Sequence, residues 1–266
     1  MNPANPEAGL RNPEFYARIR RLEALGFKSF PSDLTYYDGT WAIRETAGHA
    51  ARRINSVTPV DPNDHGDMEN RIHAVSKRFS KIKKDAVFRI TPLAPRKLIE
   101  WFETSAWISR DESMVMRLDL EKIDFGAPQD QTSLSDIESW VKVFLRLSEK
   151  SNQSYQPSID VISSIPLFQN LFVQIVEDNE VCALRTVQDG EFVGIFDVVT
   201  DHNFRRRGHA RYMLESILML VKAQKAKFAW LQVEVENVAA VALYQKLGFQ
   251  EVYRYEYFSP PTQNDR

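Results

Sequence analysis

The sequence predicts an α/β fold (α+β) in which a mixed, mostly antiparallel central sheet is flanked by helices. Three observations lead there. Helical and alternating hydrophobic periodicities interleave, and over the second half they run two helices, three strands, helix, strand, helix, strand. Turn signals at Asp178-Asn179 and Asp189-Gly190 cut 170–199 into three closely spaced strands, which such tight turns make antiparallel. The first half shows the same order of loop, helix, strand, helix and strand, so the chain reads as two pseudo-repeated lobes.

Composition bounds the function. The chain has 266 residues, 43% of them hydrophobic and 26% charged, enough for a real core in one large or two ordinary domains. Lys and Arg number 34 against 36 Asp and Glu, and this net charge of −2 gives no sign of nucleic-acid binding. The single cysteine, Cys182, excludes an internal disulfide and a Cys-rich zinc site. No run reaches the roughly 18 apolar residues of a membrane helix, and the start has no secretory pattern. A soluble protein of a reducing compartment, the cytoplasm, is expected.

In order, residues 1–12 are rich in Pro, Asn and Gly and expected to fray, and 14–25 read as a helix that stops before Gly26. Strands are expected at 34–45 and 51–57, with Gly48 in the turn between them, then a helix at 67–83 and a strand at 86–91. Pro95 opens a further helix, a place proline tolerates, and 107–120 is extended. The polar stretch 124–133 is the linker candidate, which divides the chain into 1–123 and 124–266. An amphipathic helix at 134–149 and a short one at 158–165 precede strands at 170–177, 181–188 and 191–199. A helix at 206–223 carries the stripe Ala210, Met213, Leu214, Ile217, Leu218, Val221. A strand at 228–235, a helix at 238–247 stopped by Gly248, and a strand at 249–258 complete the chain.

The chemistry sits between the third strand and its helix. Arg205, Arg206, Arg207, Gly208, His209 and Ala210 form a loop in which a helix begins. The first amides of a helix lack internal partners and carry the positive end of its dipole, so they suit a phosphate or a diphosphate. Small residues at 208 and 210 let a ligand approach the backbone, and three arginines add charge at the rim. A basic helix start facing solvent is the alternative reading of this segment alone.

A second block lies downstream: Asn237, Ala240, Leu243-Tyr244 and Gly248-Phe249. Together the two segments resemble the GNAT superfamily of acetyl-CoA-dependent N-acetyltransferases, over about residues 130–258. In that family a loop of pattern Gln/Arg-x-x-Gly-x-Gly/Ala cradles the coenzyme A diphosphate; Arg205, Gly208 and Ala210 match it. The resemblance implies that Asn237 touches the cofactor arm and that Tyr244 protonates the leaving thiolate. It also implies a splayed strand before the loop, whose backbone near Val198 and Val199 donates to the oxyanion.

The attacking amine must lose a proton. Alternation on 228–235 puts Leu231, Val233 and Val235 on one face and Trp230, Gln232 and Glu234 on the other. Glu234 is therefore one candidate base and Asp197 its competitor, each with surface decoration as the alternative. Some relatives carry a Glu in the region where this chain has Gly194, so that base does not transfer. His202 and His209 read as surface residues, Cys182 as inert core, and no spacing suggests a metal.

Shifting the chain by 142 residues aligns the halves: Ser56-Val57-Thr58 falls on Val198-Val199-Thr200, and Ile72, Val75, Phe79 on Leu214, Ile217, Val221. The first copy lacks the chemistry. Asn63, Asp64 and His65 replace the three arginines, Asp67 replaces His209, Met68 replaces Ala210, Pro95 replaces Asn237 and Phe102 replaces Tyr244. The chain thus resembles a tandem GNAT protein whose degenerate first copy does not bind the cofactor and walls the acceptor cleft. The expected activity is direct transfer of acetyl from acetyl-CoA to a primary amine, on a small molecule or a protein N-terminus, without a covalent intermediate. A non-catalytic acyl-CoA sensor or protein-interaction module is the alternative. The second block is also reminiscent of ribosomal-protein acetyltransferases.

Overall fold

The computed structural model describes residues 13–126 and 132–261. The start expected to fray, 1–12, and the middle of the expected linker, 127–131, lie outside the described residues. In chain order the first elements are α1 (Pro13–Ser29), β1 (Leu34–Asp38), β2 (Trp41–Glu45), β3 (Ser56–Pro59), α2 (Met68–Lys81), β4 (Phe88–Ile90), α3 (Arg96–Thr104) and β5 (Ile108–Asp119). Then follow β6 (Thr132–Leu134), α4 (Ile137–Leu147), α5 (Tyr155–Ser163), β7 (Phe168–Val176), β8 (Asn179–Asp189) and β9 (Phe192–Thr200). The last are α6 (His209–Ala223), β10 (Phe228–Glu234), α7 (Val238–Lys246) and β11 (Gln250–Ser259). The strands hydrogen-bond in the order β1-β2-β3-β4-β11-β5-β10-β9-β8-β7-β6, a mixed, mostly antiparallel sheet. Two of its pairs, β3·β4 and β9·β10, are parallel.

The described residues form two compact units. One comprises the described parts of 1–27, 32–113 and 253–266; the other comprises 28–31 and the described parts of 114–252. In the first, α2 and α3 bury Ile72, Val75, Phe79, Leu98 and Phe102 against Trp41, Ile43, Val57, Phe88 and Ile90. In the second, α6 buries Met213, Leu214, Ile217, Leu218 and Val221 against Leu184, Val193, Ile195, Ala229 and Leu231. On α4, Trp140 is fully buried, and its indole N–H donates to Phe172 O and Leu184 O at 3.1 and 3.2 Å, which pins that helix to the sheet.

The internal repeat is present in the folding order. The 142-residue offset carries both ends of α3 onto both ends of α7, and the first residue of β5 onto the first of β11. Three local expectations need correction. The first helix does not stop at Gly26: glycine costs only about 1 kcal/mol in a helix interior, and α1 continues to Ser29 with Ile19, Leu22 and Leu25 buried. The expected strand at 34–45 is a hairpin, β1 and β2, turned at Gly39 with φ +55°. The second expected strand begins as one helical turn at Arg52–Ile54, so the extended part is Ser56–Pro59. Both later hairpin turns sit one residue from their expected places. Val176 pairs Asn179 around Glu177-Asp178, both left-handed, and Asp189 pairs Phe192 around Gly190-Glu191.

Candidate active site

The site region begins on β9. Its antiparallel pairing with β8 matches Arg185 to Phe196 and then Ala183 to Val199, so Asp197 and Val198 together oppose Leu184. This is a β-bulge, one extra residue on one strand, and Asp197 adopts the left-handed conformation, φ +55°. On the other side β9 pairs β10 in parallel only as far as Gly194↔Trp230. Beyond that pair the two strands part, so the backbone of the bulge is not consumed by a parallel ladder. Val198 packs against the core beneath α6 and α7, while Val199 packs against the core beneath α4 and α5.

The loop after β9 is held from inside. The Asp201 carboxylate accepts the Asn203 N–H at 2.8 Å, and Arg205 Nε donates to Thr200 O at 3.2 Å. Arg206 (φ +62°) and Gly208 (φ +89°) are both left-handed. Arg205 before them is extended, φ −64° and ψ 154°. Gly208 is the N-cap of α6 and makes no side-chain cap, so the first amides of a 15-residue helix face outward. Arg205, Arg206 and Arg207 are exposed around it, and His209 packs edge-on to Phe204 at 5.9 Å. Ala210 borders the same apolar cluster as Val198 and Tyr244.

On β10, Leu231 and Val233 are buried on the α6 side; Gln232 is half-buried and Glu234 exposed at the strand's end. Asn237 caps α7, its Oδ1 accepting the Ala240 N–H at 3.2 Å. Tyr244, about two turns along that helix, is 7% exposed. Burial, and secondarily the neighbouring Cys182, pushes its phenol well above the ordinary value near 10, and no hydrogen bond contributes. It therefore stays protonated throughout the neutral range. The Asp197 carboxylate is engaged, since Arg185 Nε donates to its Oδ2 at 2.5 Å. Arg185 was missed in the sequence. Its signal was a guanidinium in the middle of an apolar strand, where a charge demands a partner.

The corresponding loop of the first unit is closed by its own carboxylate. Asp64 accepts the Thr40 N–H (3.0 Å), the Thr40 hydroxyl (2.7 Å), the Gly66 N–H (3.3 Å) and Arg71 Nη1 (3.0 Å). Burial opposes its charge, and these donors outweigh burial and hold it far below the usual carboxylate range. The carboxylate that satisfies the loop is thus Asp64. Asp67, at the helix cap, accepts instead from Asn70 Nδ2 at 2.6 Å. Phe102, fully buried, stacks on Phe258 at 5.0 Å.

Cys182 is buried against Thr200, and burial pushes its thiol up to about 11. The nucleophile is the thiolate, so alkylation by iodoacetamide at pH 8 is expected to be at least about 100-fold slower than in urea-unfolded protein. Mass spectrometry of the timed reaction checks this. Among the described residues no group of three or more His, Cys, Asp or Glu is arranged to hold a metal ion, and no helix is long and apolar enough to cross a membrane.

The family described as "Probable histone acetyltransferase Rv0428c C-terminal" matches residues 16–258. The chain belongs to that family. The Rv0428c C-terminal family's span reaches into both units and holds every site residue named above. The uncharacterized N-acetyltransferase YobR of Bacillus subtilis is 24% identical over 251 residues, 90% of this chain and 97% of YobR. A shorter match, 35% identical over 69 residues, is to the [ribosomal protein bS18]-alanine N-acetyltransferase of Salmonella typhimurium. It covers 26% of this chain and 47% of that enzyme, so the chain spans about half the enzyme's length. Among solved structures, a GCN5-related N-acetyltransferase from Kribbella flavida superposes with a TM-score of 0.67 at 12% identity, covering 94% of this chain and 96% of that one. A tandem GNAT protein from the clavulanic acid biosynthesis pathway gives 0.61 at 11%, covering 96% and 97%. The fold of this Rv0428c C-terminal family member is that of GNAT proteins, tandem ones included.

Proposed function

We propose that the second unit transfers an acetyl group from acetyl-CoA to a primary amine by direct attack. The observation that supports this most is the start of α6, where left-handed Gly208 leaves the first helical amides without a side-chain cap beside three exposed arginines. The residues fit a diphosphate: the cradle has glycine where a side chain would fill it, and the charge has the right sign. Val198, Val199, Arg205, Arg206, Arg207, Gly208, His209, Ala210 and Asn237 would line the bound co-substrate.

When bound, acetyl-CoA supplies an activated thioester. One backbone N–H of the bulge, at Val198 or Val199, receives the charge that develops on its carbonyl oxygen. Glu234 takes the proton from the attacking amine as the C–N bond forms. Tyr244 gives its proton to the sulfur as the C–S bond breaks, and the resulting phenolate is reprotonated through solvent by the proton Glu234 collected. The upward push on Tyr244 weakens the phenol as an acid toward the leaving thiolate and favours its recovery. The products are the N-acetylated amine and free coenzyme A.

Relatives are named for polypeptide acceptors, a histone and a ribosomal-protein alanine. Peptide α-amines and lysine side chains are therefore the first acceptors to assay, with small-molecule amines beside them. Tyr244→Phe is expected to lower kcat by about 10²-fold, the scale of a lost general acid. The Kd for acetyl-CoA should stay within about twofold, because the phenol is not part of the diphosphate cradle. Calorimetry and thiol release measure the two. Equal losses would remove Tyr244 from its role, and binding without transfer to any amine would favour an acyl-CoA sensor.

A further inference from the structure

We propose that Arg185 is a positioning residue: by gripping Asp197 it holds the left-handed turn of β9 and so aims the amides of Val198 and Val199. This rests on the acetyl-transfer reading and deepens it, because it gives Asp197 a backbone role and leaves proton abstraction to Glu234.

Arg185 lies in the middle of β8 and is 1% exposed. Its guanidinium stands over the rings of Phe30 (4.4 Å) and Phe196 (5.0 Å), and its Nη1 lies 3.5 Å from Ser29 O. Phe196 is itself wedged edge-on between Phe30 at 4.9 Å and Trp230 at 5.2 Å. Gly194 makes room for this box, since an added Cβ there would meet the Phe196 ring at 2.5 Å. The guanidinium is therefore held on several sides and cannot follow a wandering carboxylate. Phe196, its register partner, immediately precedes the bulge.

Asp197 then has two reasons to be aspartate. Asp tolerates the left-handed region better than most residues, and its carboxylate reaches a buried cation that must be paired. If the extra residue slipped back into an ordinary ladder, each later residue of β9 would turn to the opposite face. Val198 and Val199 now point to different cores, and a slip would exchange them, along with the directions of their N–H groups.

The test uses the full chain and [1-¹³C]acetyl-CoA, first confirmed by calorimetry to bind the wild type. The carbonyl stretch of bound ligand in isotope-edited infrared reports polarisation by the amides without any acceptor. Asp197→Asn, which keeps an acceptor for Arg185 and the left-handed tolerance but not the charge, should lower stability yet retain the wild-type shift to low frequency and the wild-type pH-rate limb. Arg185→Met should lose the shift, with kcat down about 10²-fold, the scale of a lost oxyanion donor, while KM for acetyl-CoA stays within about threefold. Arg185→Met/Asp197→Gly, in which glycine adopts positive φ freely, should regain the shift and most of the turnover. Should Arg185→Met not fold, Asp197→Val replaces it, with the shift expected to be lost. Loss of kcat and of the pH-rate limb in Asp197→Asn would make Asp197 the base and overturn the proposal. An unchanged stretch in both Arg185→Met and Asp197→Val would also overturn it. Failure of the wild type to bind acetyl-CoA would instead overturn the acetyl-transfer reading and this inference with it.

Discussion

Gly208→Val is expected to bind coenzyme A at least about 100-fold more weakly than the wild type, as calorimetry would measure. An added Cβ would sit 3.0 Å from a carbon of the Tyr212 ring, which is 46% exposed and can swing aside, so crowding is the lesser cost. The backbone is the greater one. Gly208 has φ +89°, which a β-branched residue adopts only with strain. Valine would draw the loop toward negative φ and turn its amides aside. Two amide bonds to a charged phosphate contribute about 1.5–3 kcal/mol each, and every 1.4 kcal/mol is about tenfold in affinity. Gly208→Ala should fall between the two. Gly66, its counterpart in the first unit, has ordinary 3.5 Å contacts for an added Cβ. Gly66→Ala should leave affinity unchanged within about twofold. Comparable weakening from both sites would place the ligand elsewhere.

Arg89→Met is expected to destabilise the protein by about 3–5 kcal/mol, the cost of leaving one partner of a buried pair behind. Arg89 on β4 and Glu23 on α1 are 4% and 3% exposed. Arg89 Nη2 and Nε donate to the two Glu23 oxygens at 2.8 and 2.9 Å, the Tyr253 hydroxyl donates at 2.6 Å, and the guanidinium lies 3.3 Å over the Tyr255 ring. Burial alone would raise the Glu23 carboxyl; Arg89 and the hydrogen bonds outweigh it and leave it lowered. A carboxyl lowered in the folded state contributes stability above its unfolded pKa and loses it as pH falls through the folded value. Without Arg89 the sign reverses: burial raises Glu23, and the variant gains from protonation. The deficit of Arg89→Met against wild type, measured in urea, should therefore be full at pH 7 and shrink toward pH 4. A deficit independent of pH would mean that packing, not charge, accounts for the loss.

The elements most legible in the sequence were those whose information is local. The stripe Met213, Leu214, Ile217, Leu218, Val221 specifies a helix and its buried face together, and α6 ends where the periodicity ends. Alternation on β10 sorted Leu231 and Val233 from Gln232 and Glu234. Turns were readable to within a residue. The departure at Glu177, left-handed without being Gly, Asn or Asp, shows that pairing of the flanking strands selects the turn rather than the turn residue alone. Gly26 was misread as a stop because its local cost is real but smaller than the burial of Leu22 and Leu25 around it.

By itself the sequence determined most of the order of elements, though not the strand β6 or the β1–β2 hairpin, and the glycine at the start of α6 and the tyrosine on α7, since these are written in residues a few positions apart. Only the tertiary structure decided that Asp197 answers to Arg185, that Asp64 seals the first unit's loop, and that Glu23 faces Arg89. Those pairs join residues 12, 24 and 66 positions apart, counting Asp64 to Thr40. A buried charge takes whichever opposite charge the packed chain brings to it, and periodicity along one strand or helix carries no record of that neighbour.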